Sequence, residues 1–384
     1  MNAKAHKALL PAGLADVLPP DAEFEAGMTE ALMSHFARHG FERVKPPLLE
    51  FEENLIGGSG AATASQTFRL MDPISQRMMG LRADMTLQIA RIAATRLSDV
   101  PRPLRLSYAG QVLRVRGSAL RPERQFGQTG IELIGSSLPA ADAEVILLAI
   151  QGLESRGITG LSVDLGLPTL VPILCAQHNL DLSAIGEEFR GALNQKDTAE
   201  IKALLGGNAA AFTALIDAVG PADEALPELR AIGMSGEAES ELAQLEAVIS
   251  ILRTKMPEIR LTVDPVELRG YEYHSGLTFT VFAREITGEL GRGGRYRTGP
   301  DTGGPEEDAT GITLFVDSIL KAAPAVVAAK RVCVPMDTGS DALEALHADG
   351  WITVSSLKDG TDSTDEARRL NCTHSLVNGV PKEV

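Results

Sequence analysis

Cysteine is scarce in this chain: Cys175, Cys333 and Cys372 are the three in 384 residues. They lie far apart and form no CxxC pair, which excludes a disulfide framework and a thiolate zinc site and leaves packed thiols as the reading. Positive charge is also short, with 36 Lys plus Arg against 51 Asp plus Glu and a formal charge of −15. An electrostatic grip on nucleic acid would have to work against that field, so RNA and DNA are disfavoured as main partners. No apolar run reaches membrane-spanning length, and the opening "MNAKAHKALLPAGLADVLPP" carries only a two-leucine core before proline. Neither a signal peptide nor an anchor is expected, and the expected address is the cytoplasm. Internal repeats and long low-complexity segments are missing too. The hydrophobic share of 44% is nevertheless enough for a sizeable core spread over two or three domains.

What is present begins with a helix. Phe24, Met28, Leu32 and Phe36 recur every four residues after "LPPD", with Asp21 expected as its cap and Gly40 as its stop. "FERVKPPLLEF" reads as an edge strand broken by Pro46 and Pro47, and "TFRLMD" and "RMMGLRADMT" as strands around a turn. A helix over "TLQIARIAATRLSD" precedes two strands, "LRLSYAGQVLRVR" and "QFGQTGIELIG", joined by an arginine-containing loop. Short polar connections between consecutive strands argue for an antiparallel sheet. Residues 168–257 are helical and alanine-rich, with Leu242, Leu245, Ile249 and Leu252 in one stripe, and read as an insertion because strands resume after Pro257. From residue 322 onward, alternating short strands and helices suggest a small βαβαβ unit.

Polar residues stand where apolar ones belong in "RPERQFGQTGIELIG". Side chains two apart share a strand face, so Gln128 and Glu132 flank Gly130 with roughly 13 Å between their Cα atoms. A small polar ligand could lie over that glycine. "LRADMT" offers Asp84 and Thr86, again two apart and expected on one strand face beside Arg82. "LRGYEYHSG" crowds Arg269, Tyr271, Tyr273 and His274 around two glycines in a chain with four tyrosines in all. "GELGRGGRYRTG" reads as a glycine-rich hairpin without the spacing of a phosphate loop.

In this order, these segments resemble the class II aminoacyl-tRNA synthetases, and among them histidyl-tRNA synthetase, over about residues 10–320. The resemblance implies an α+β fold: a class II synthetase-like antiparallel sheet flanked by helices over residues 1–321, with the helical insertion at about 168–257 and a small C-terminal α/β domain over 322–384. "GFERVKPPLLE" is similar to the motif that forms the family's dimer interface, so a homodimer is implied. Position by position, Asp84, Thr86 and Gln128 would hold the α-amino group of bound histidine, Glu132 would face its imidazole, and Tyr273 and His274 would stand at the family's tyrosine pair. Arg269 matches the arginine near the carboxylate, and Arg114 the motif arginine that in the enzyme meets the activated carboxyl and phosphate. Such a set suits a zwitterion, with acids and acceptors at the ammonium and arginine at the carboxylate.

The ATP-handling positions depart from that pattern. Arg116 stands where synthetases carry an adenine-contacting glutamate, and Asp317 is followed by Ser318 where they carry the arginine that meets the γ-phosphate. A fixed positive charge is thereby lost from a site that works by electrostatic positioning. The C-terminal unit is acidic and shows no evident basic face. This combination resembles the regulatory subunits of ATP phosphoribosyltransferase, a synthetase-like family of histidine biosynthesis. The resemblance implies a chain with no catalytic residue, cofactor or metal, which activates the short form of the catalytic subunit in a hetero-oligomer and transmits feedback inhibition by L-histidine. The alternative is a divergent histidyl-tRNA synthetase with a shortened anticodon-binding domain. A third reading is an RNA-binding module on an inactive synthetase fold, to which Arg114, Arg116, Arg121 and Arg124 could give a basic face; otherwise they form an ordinary solvated loop or stand near a phosphate substrate or the partner interface.

Overall fold

The computed structural model describes residues 9–56, 64–117, 121–268, 273–299, 304–325, 329–357 and 363–384. Two compact units divide the chain, Met1–Pro324 and Ala325–Val384. The first unit opens with α1 (Asp21–Arg38), whose buried Met28, Leu32, Met33 and Phe36 form one stripe. Burying each such side chain contributes roughly 1.5–3 kcal/mol, so tertiary packing rather than helix propensity secures it. Asp21 is not the cap: it is the first helical residue, Pro20 holds the capping position, and no side chain bonds there. Its carboxylate acts on the positive helix end instead. Gly40, at φ +82°, turns the chain out of the helix.

Beyond α1 come β1 (Glu42–Arg43), β2 (Leu49–Phe51), α2 (Glu52–Ile56), the hairpin β3 (Arg69–Met71) and β4 (Met78–Leu81), α3 (Thr86–Thr95), β5 (Leu104–Leu113), β6 (Gln125–Ile134), α4 (Pro139–Glu154) and β7 (Leu161–Gly166). Pro46 and Pro47 break the first of the expected strands as anticipated, and the two pieces enter different sheets. The helical block holds α5 (Leu170–Gln177), α6 (Leu182–Gln195), α7 (Thr198–Leu205), α8 (Ala209–Asp217), the short β8 (Gly220–Pro221), α9 (Ala222–Ala231) and α10 (Glu237–Lys255). By length and composition, Thr198–Asp217 could cross a membrane. It is α7 and α8 joined by a 3-10 turn, however, and buries Ile201, Leu205, Phe212 and Leu215 in the protein core. The unit closes with β9 (Arg260–Asp264), β10 (His274–Ala283), β11 (Glu289–Thr298), β12 (Glu307–Phe315) and α11 (Val316–Ala322).

The main sheet runs β1-β5-β6-β12-β11-β10-β7-β9-β8. Its centre, from β5 to β7, is antiparallel, and the pairs β1–β5 and β7–β9 are parallel. "GELGRGGRYRTG" is therefore no hairpin turn but β11, a central strand between β10 and β12. Its glycines serve close strand packing: a Cβ on Gly293 would lie 2.0 Å from the carbonyl oxygen of Gly311. Strand β6 separates two cores. Ile131 and Leu133 pack with α1 and α4, whereas Phe126 and Ile134 pack with Ile89, Ala90 and Ala93 of α3. The face toward α3 is the one that carries Gln128 and Glu132.

In the second unit, β13 (Arg331–Val334), α12 (Ser340–Ala348), β14 (Ile352–Ser355), α13 (Ser363–Arg369) and β15 (His374–Val377) follow the expected alternation, and β16 (Val380–Glu383) adds an antiparallel edge. All three cysteines are free and buried.

Candidate functional site

One cavity of about 290 Å³ gathers Asp84, Thr86, Arg114, Glu132, Tyr273 and His274. Asp84 and Thr86 do not share a strand face, because β4 ends at Leu81. They form the turn into α3 instead: Asp84 Oδ1 accepts from the Thr86 amide at 2.9 Å, and its Oδ2 accepts from Gln128 Nε2 at 2.9 Å. Gln128 thus braces the acid, and its own Oε1 is buried without a partner among the described residues. Arg82 is structural; it donates to the carbonyl oxygens of Gln111 and Pro46. Arg114 donates to the Ala83 carbonyl at 3.3 Å and sits over the Phe126 ring. Arg269 and Tyr271 lie outside the described residues.

Glu132 is wholly buried on β6 beneath two tyrosine hydroxyls. Tyr296 donates to one carboxylate oxygen at 2.9 Å and Tyr108 to the other at 3.3 Å, while Tyr108 also meets Thr313 Oγ1 at 2.7 Å. Loss of water, joined by the nearby Asp84 charge and opposed by the Tyr296, Thr86 and Tyr108 hydroxyls, leaves the carboxyl pushed up to about 8. Burial likewise holds Tyr108 and Tyr296 well above the ordinary phenol value, with the Glu132 charge adding to it. A fold gains nothing by storing an unpaired acid there. A cationic or N–H-bearing ligand would supply what the acid lacks.

Two glycines shape the floor. Glu132 is the register partner of Gly311 on β12, which is in turn the partner of Gly294 on β11. A Cβ at Gly311 would lie 1.7 Å from Glu132 Oε2, and one at Gly294 would lie 3.0 Å from His274 Nδ1. Gly130 has a similar reason, since its Cβ would meet the Tyr108 hydroxyl at 2.5 Å. Tyr273 stacks on Tyr296 with ring centres 5.3 Å apart, and its buried hydroxyl has no hydrogen-bond partner among the described residues. His274 packs edge-on against Tyr273, and its Nδ1 lies 3.0 Å from the Arg295 carbonyl oxygen.

Tyr108, Tyr296, Thr313 and the Gly294–Gly311 pair escaped the sequence reading. Tyrosine scarcity was the available signal: of four in the chain, the three described, Tyr108, Tyr273 and Tyr296, all converge here.

A second cavity of about 920 Å³ adjoins the first, sharing Gln66, Arg114 and Arg292. It holds five cations, but three have carboxylate partners of their own: Arg121 with Asp317 at 3.1 Å, Arg292 with Glu289 at 3.0 Å and Lys321 with Glu123 at 3.4 Å. Arg121 is buried, donates to Ser318 Oγ at 2.9 Å and lies 3.8 Å from the centre of the Phe315 ring. Arg124 is tied to the carbonyl oxygens of Arg114 and Ala12. The arginine loop is therefore not simply a solvated face.

Residues 13–319 match the family model described as histidyl-tRNA synthetase. The ATP phosphoribosyltransferase regulatory subunit of Paramagnetospirillum magneticum is 55% identical over 376 residues, covering 98% of either chain. That of Rhodospirillum rubrum is 50% identical, with 97% of this chain and 96% of the relative covered. Among solved structures, an ATP phosphoribosyltransferase regulatory subunit/histidyl-tRNA synthetase from Bacillus halodurans superposes with a TM-score of 0.82 at 24% identity, over 96% of this chain and 97% of that one. Histidyl-tRNA synthetase from Nostoc superposes with a TM-score of 0.76 at 19% identity, over 97% and 91%. At those identities the structures attest the shared class II synthetase-like fold.

Proposed function

This chain belongs to the ATP phosphoribosyltransferase regulatory subunit family, and from that premise we propose that it is a non-catalytic subunit which activates a short catalytic partner and reports L-histidine to it. The partner makes phosphoribosyl-ATP and pyrophosphate from ATP and phosphoribosyl pyrophosphate. In this reading Asp84, Thr86 and Gln128 hold the α-ammonium of histidine, Glu132 meets the imidazole beside Tyr273 and His274, and Arg114 and Arg269 take the carboxylate. Feedback then requires histidine to favour one conformation of the hetero-oligomer over another, by about 1–3 kcal/mol of coupling.

One observation carries the reading: the amino-acid cavity keeps a buried acid, Glu132, with no basic side chain bonded to it among the described residues, while the neighbouring cavity has spent three of its cations on internal carboxylates. A nucleotide triphosphate entering the second cavity would have to break the buried Arg121–Asp317 pair and leave Asp317 facing its phosphates. Calorimetric titration of the purified chain tests this. Saturable heat with L-histidine, absent in Glu132→Gln, and no heat with ATP is the expected result. Binding of ATP together with histidine would favour a synthetase, and heat from neither would remove the sensing role.

A further inference from the structure

We propose that Arg295 is a positioning residue for the pocket: clamped on the sheet face opposite the cavity, it holds the adjoining Tyr296 hydroxyl against the Glu132 carboxylate. The assignment deepens the reading above and rests on it, since the ligand whose affinity reports that position is L-histidine.

Strand order explains why a clamp matters. Glu132 stands on β6 and Tyr296 on β11, and these strands are not neighbours; β12 lies between them and pairs with both. Backbone pairing therefore governs the 2.9 Å between tyrosine hydroxyl and carboxylate only indirectly, through β12. Stacking on Tyr273 sets the plane of the Tyr296 ring, not its reach across the intervening strand. A displacement of about 0.5 Å would carry such a bond beyond ordinary hydrogen-bond length.

Arg295 supplies a direct tie. Successive side chains on a strand face opposite ways, so with Tyr296 turned to the cavity Arg295 turns toward α4. There its guanidinium reaches across β12 to the segment that leaves β6. Nη1 donates to the Ser136 carbonyl at 3.0 Å and Nη2 to the Leu138 carbonyl at 2.8 Å, while Nε and Nη2 donate to Asp142 Oδ2 at 2.9 and 2.6 Å. Arg295 is the register partner of Thr310 on β12, which is in turn the partner of Leu133 on β6. The clamp thus spans the cross-strand row next to the one formed by Glu132, Gly311 and Gly294.

The clamp is also closed from behind. Arg295 and Asp142 are both buried, and Thr310 stands beside the acid. A Cβ on Gly276 of β10 would lie 3.3 Å from Arg295 Cδ and 3.7 Å from Glu241 Oε2 of α10, so the bare glycine leaves room for the arginine stem. A well-packed apolar pair would secure the fold at least as well as a buried ion pair. What a planar fork adds is position, because its donors meet several acceptors in one fixed geometry.

The test is calorimetric titration of the full-length chain with L-histidine around a double-mutant cycle of Arg295→Lys and Tyr296→Phe. Lysine keeps the charge opposite Asp142 and loses the fork, so the buried pair survives without the three-point hold. Arg295→Lys should weaken histidine binding about fivefold, from the face of the sheet that the ligand does not touch. In the Tyr296→Phe chain, where no hydroxyl is left to position, the same change should cost less than about twofold. A merely structural arginine would lower affinity by the same factor in both backgrounds. A second chain, Arg295→Met with Asp142→Leu, should melt no lower than the natural one yet bind histidine about tenfold more weakly. Natural affinity in Arg295→Lys or in the apolar pair, or losses that multiply in the cycle, overturns the assignment and leaves the sensing role standing. No binding of L-histidine by the natural chain would instead remove the sensing role itself and this assignment with it.

Discussion

Glu132 shows most plainly what a buried acid costs in stability, a cost that serves recognition under the proposed function. Its folded carboxyl titrates at about 8 against 4.5 for a free glutamate. A raised folded pKa means that the native state binds more protons than the unfolded one between those values, so this residue's contribution to stability declines as pH rises from about 4.5 through about 8. Glu132→Gln removes the ionisation but keeps the shape and an acceptor for Tyr296. The variant should therefore melt like the natural chain near pH 4.5 and progressively higher than it toward pH 8.5, by a few kcal/mol at most since one unit is worth about 1.4 kcal/mol. Calorimetric melting across that range checks it, and a gain that is flat with pH would argue against an ionisable, desolvated acid. Tyr296→Phe works in the other direction. It strips a 2.9 Å donor from the carboxylate, so proton affinity should rise and histidine binding should weaken about tenfold with little change in fold stability.

At the scale of elements, the site depends on a row of residues crossing β6, β12 and β11, and this explains what the sequence could and could not disclose. Alternation along one strand put Gln128, Gly130 and Glu132 on one face correctly, because the side-chain period of a strand is fixed. Cross-strand register was invisible: nothing local in "GELGRGGRYRTG" says that Gly294 will sit beside Gly311, or that Tyr296 will reach a carboxylate 164 residues away. Glycine density there suggested a turn, when the cause is close strand packing and the volume taken by Glu132 and His274. Asp84 and Thr86 misled for the converse reason, since two residues apart means one face only while the strand lasts, and this one stops at Leu81. The register makes Gly311→Ala a sharp probe. Its new methyl would fall 1.7 Å from Glu132 Oε2, so the carboxylate must swing off the floor. Histidine binding should fall by at least about a hundredfold, with a stability loss of roughly 1–3 kcal/mol from overpacking. Titration and thermal melting on the same sample separate the two effects. Arg121→Ala should do the opposite, costing about 3 kcal/mol by leaving Asp317 unpaired at the start of α11 while histidine affinity stays within about threefold.

For the whole molecule, the proposed function makes activation and feedback two separable free energies. In that reading activation requires the chain to assemble with its catalytic partner, whereas inhibition requires histidine to distinguish between states of that assembly. A ligand bound equally by both states would shift nothing, however tight. Glu132 lies in the floor of a cavity at the centre of the main sheet, buried from bulk solvent, and so in the proposed reading can touch the ligand without contributing surface to a partner. Glu132→Gln should therefore raise the activity of the short catalytic subunit as far as the natural chain does, to within about twofold. Adding L-histidine should lower the natural complex by a factor set by 1–3 kcal/mol of coupling, about 5–150-fold, and leave the variant complex unchanged. Steady-state rates of phosphoribosyl-ATP formation with each chain, with and without histidine, measure both quantities in one experiment. If the variant failed to activate, the pocket would be coupled to assembly itself. If it activated and was still inhibited, histidine would act somewhere other than the cavity that Glu132 closes.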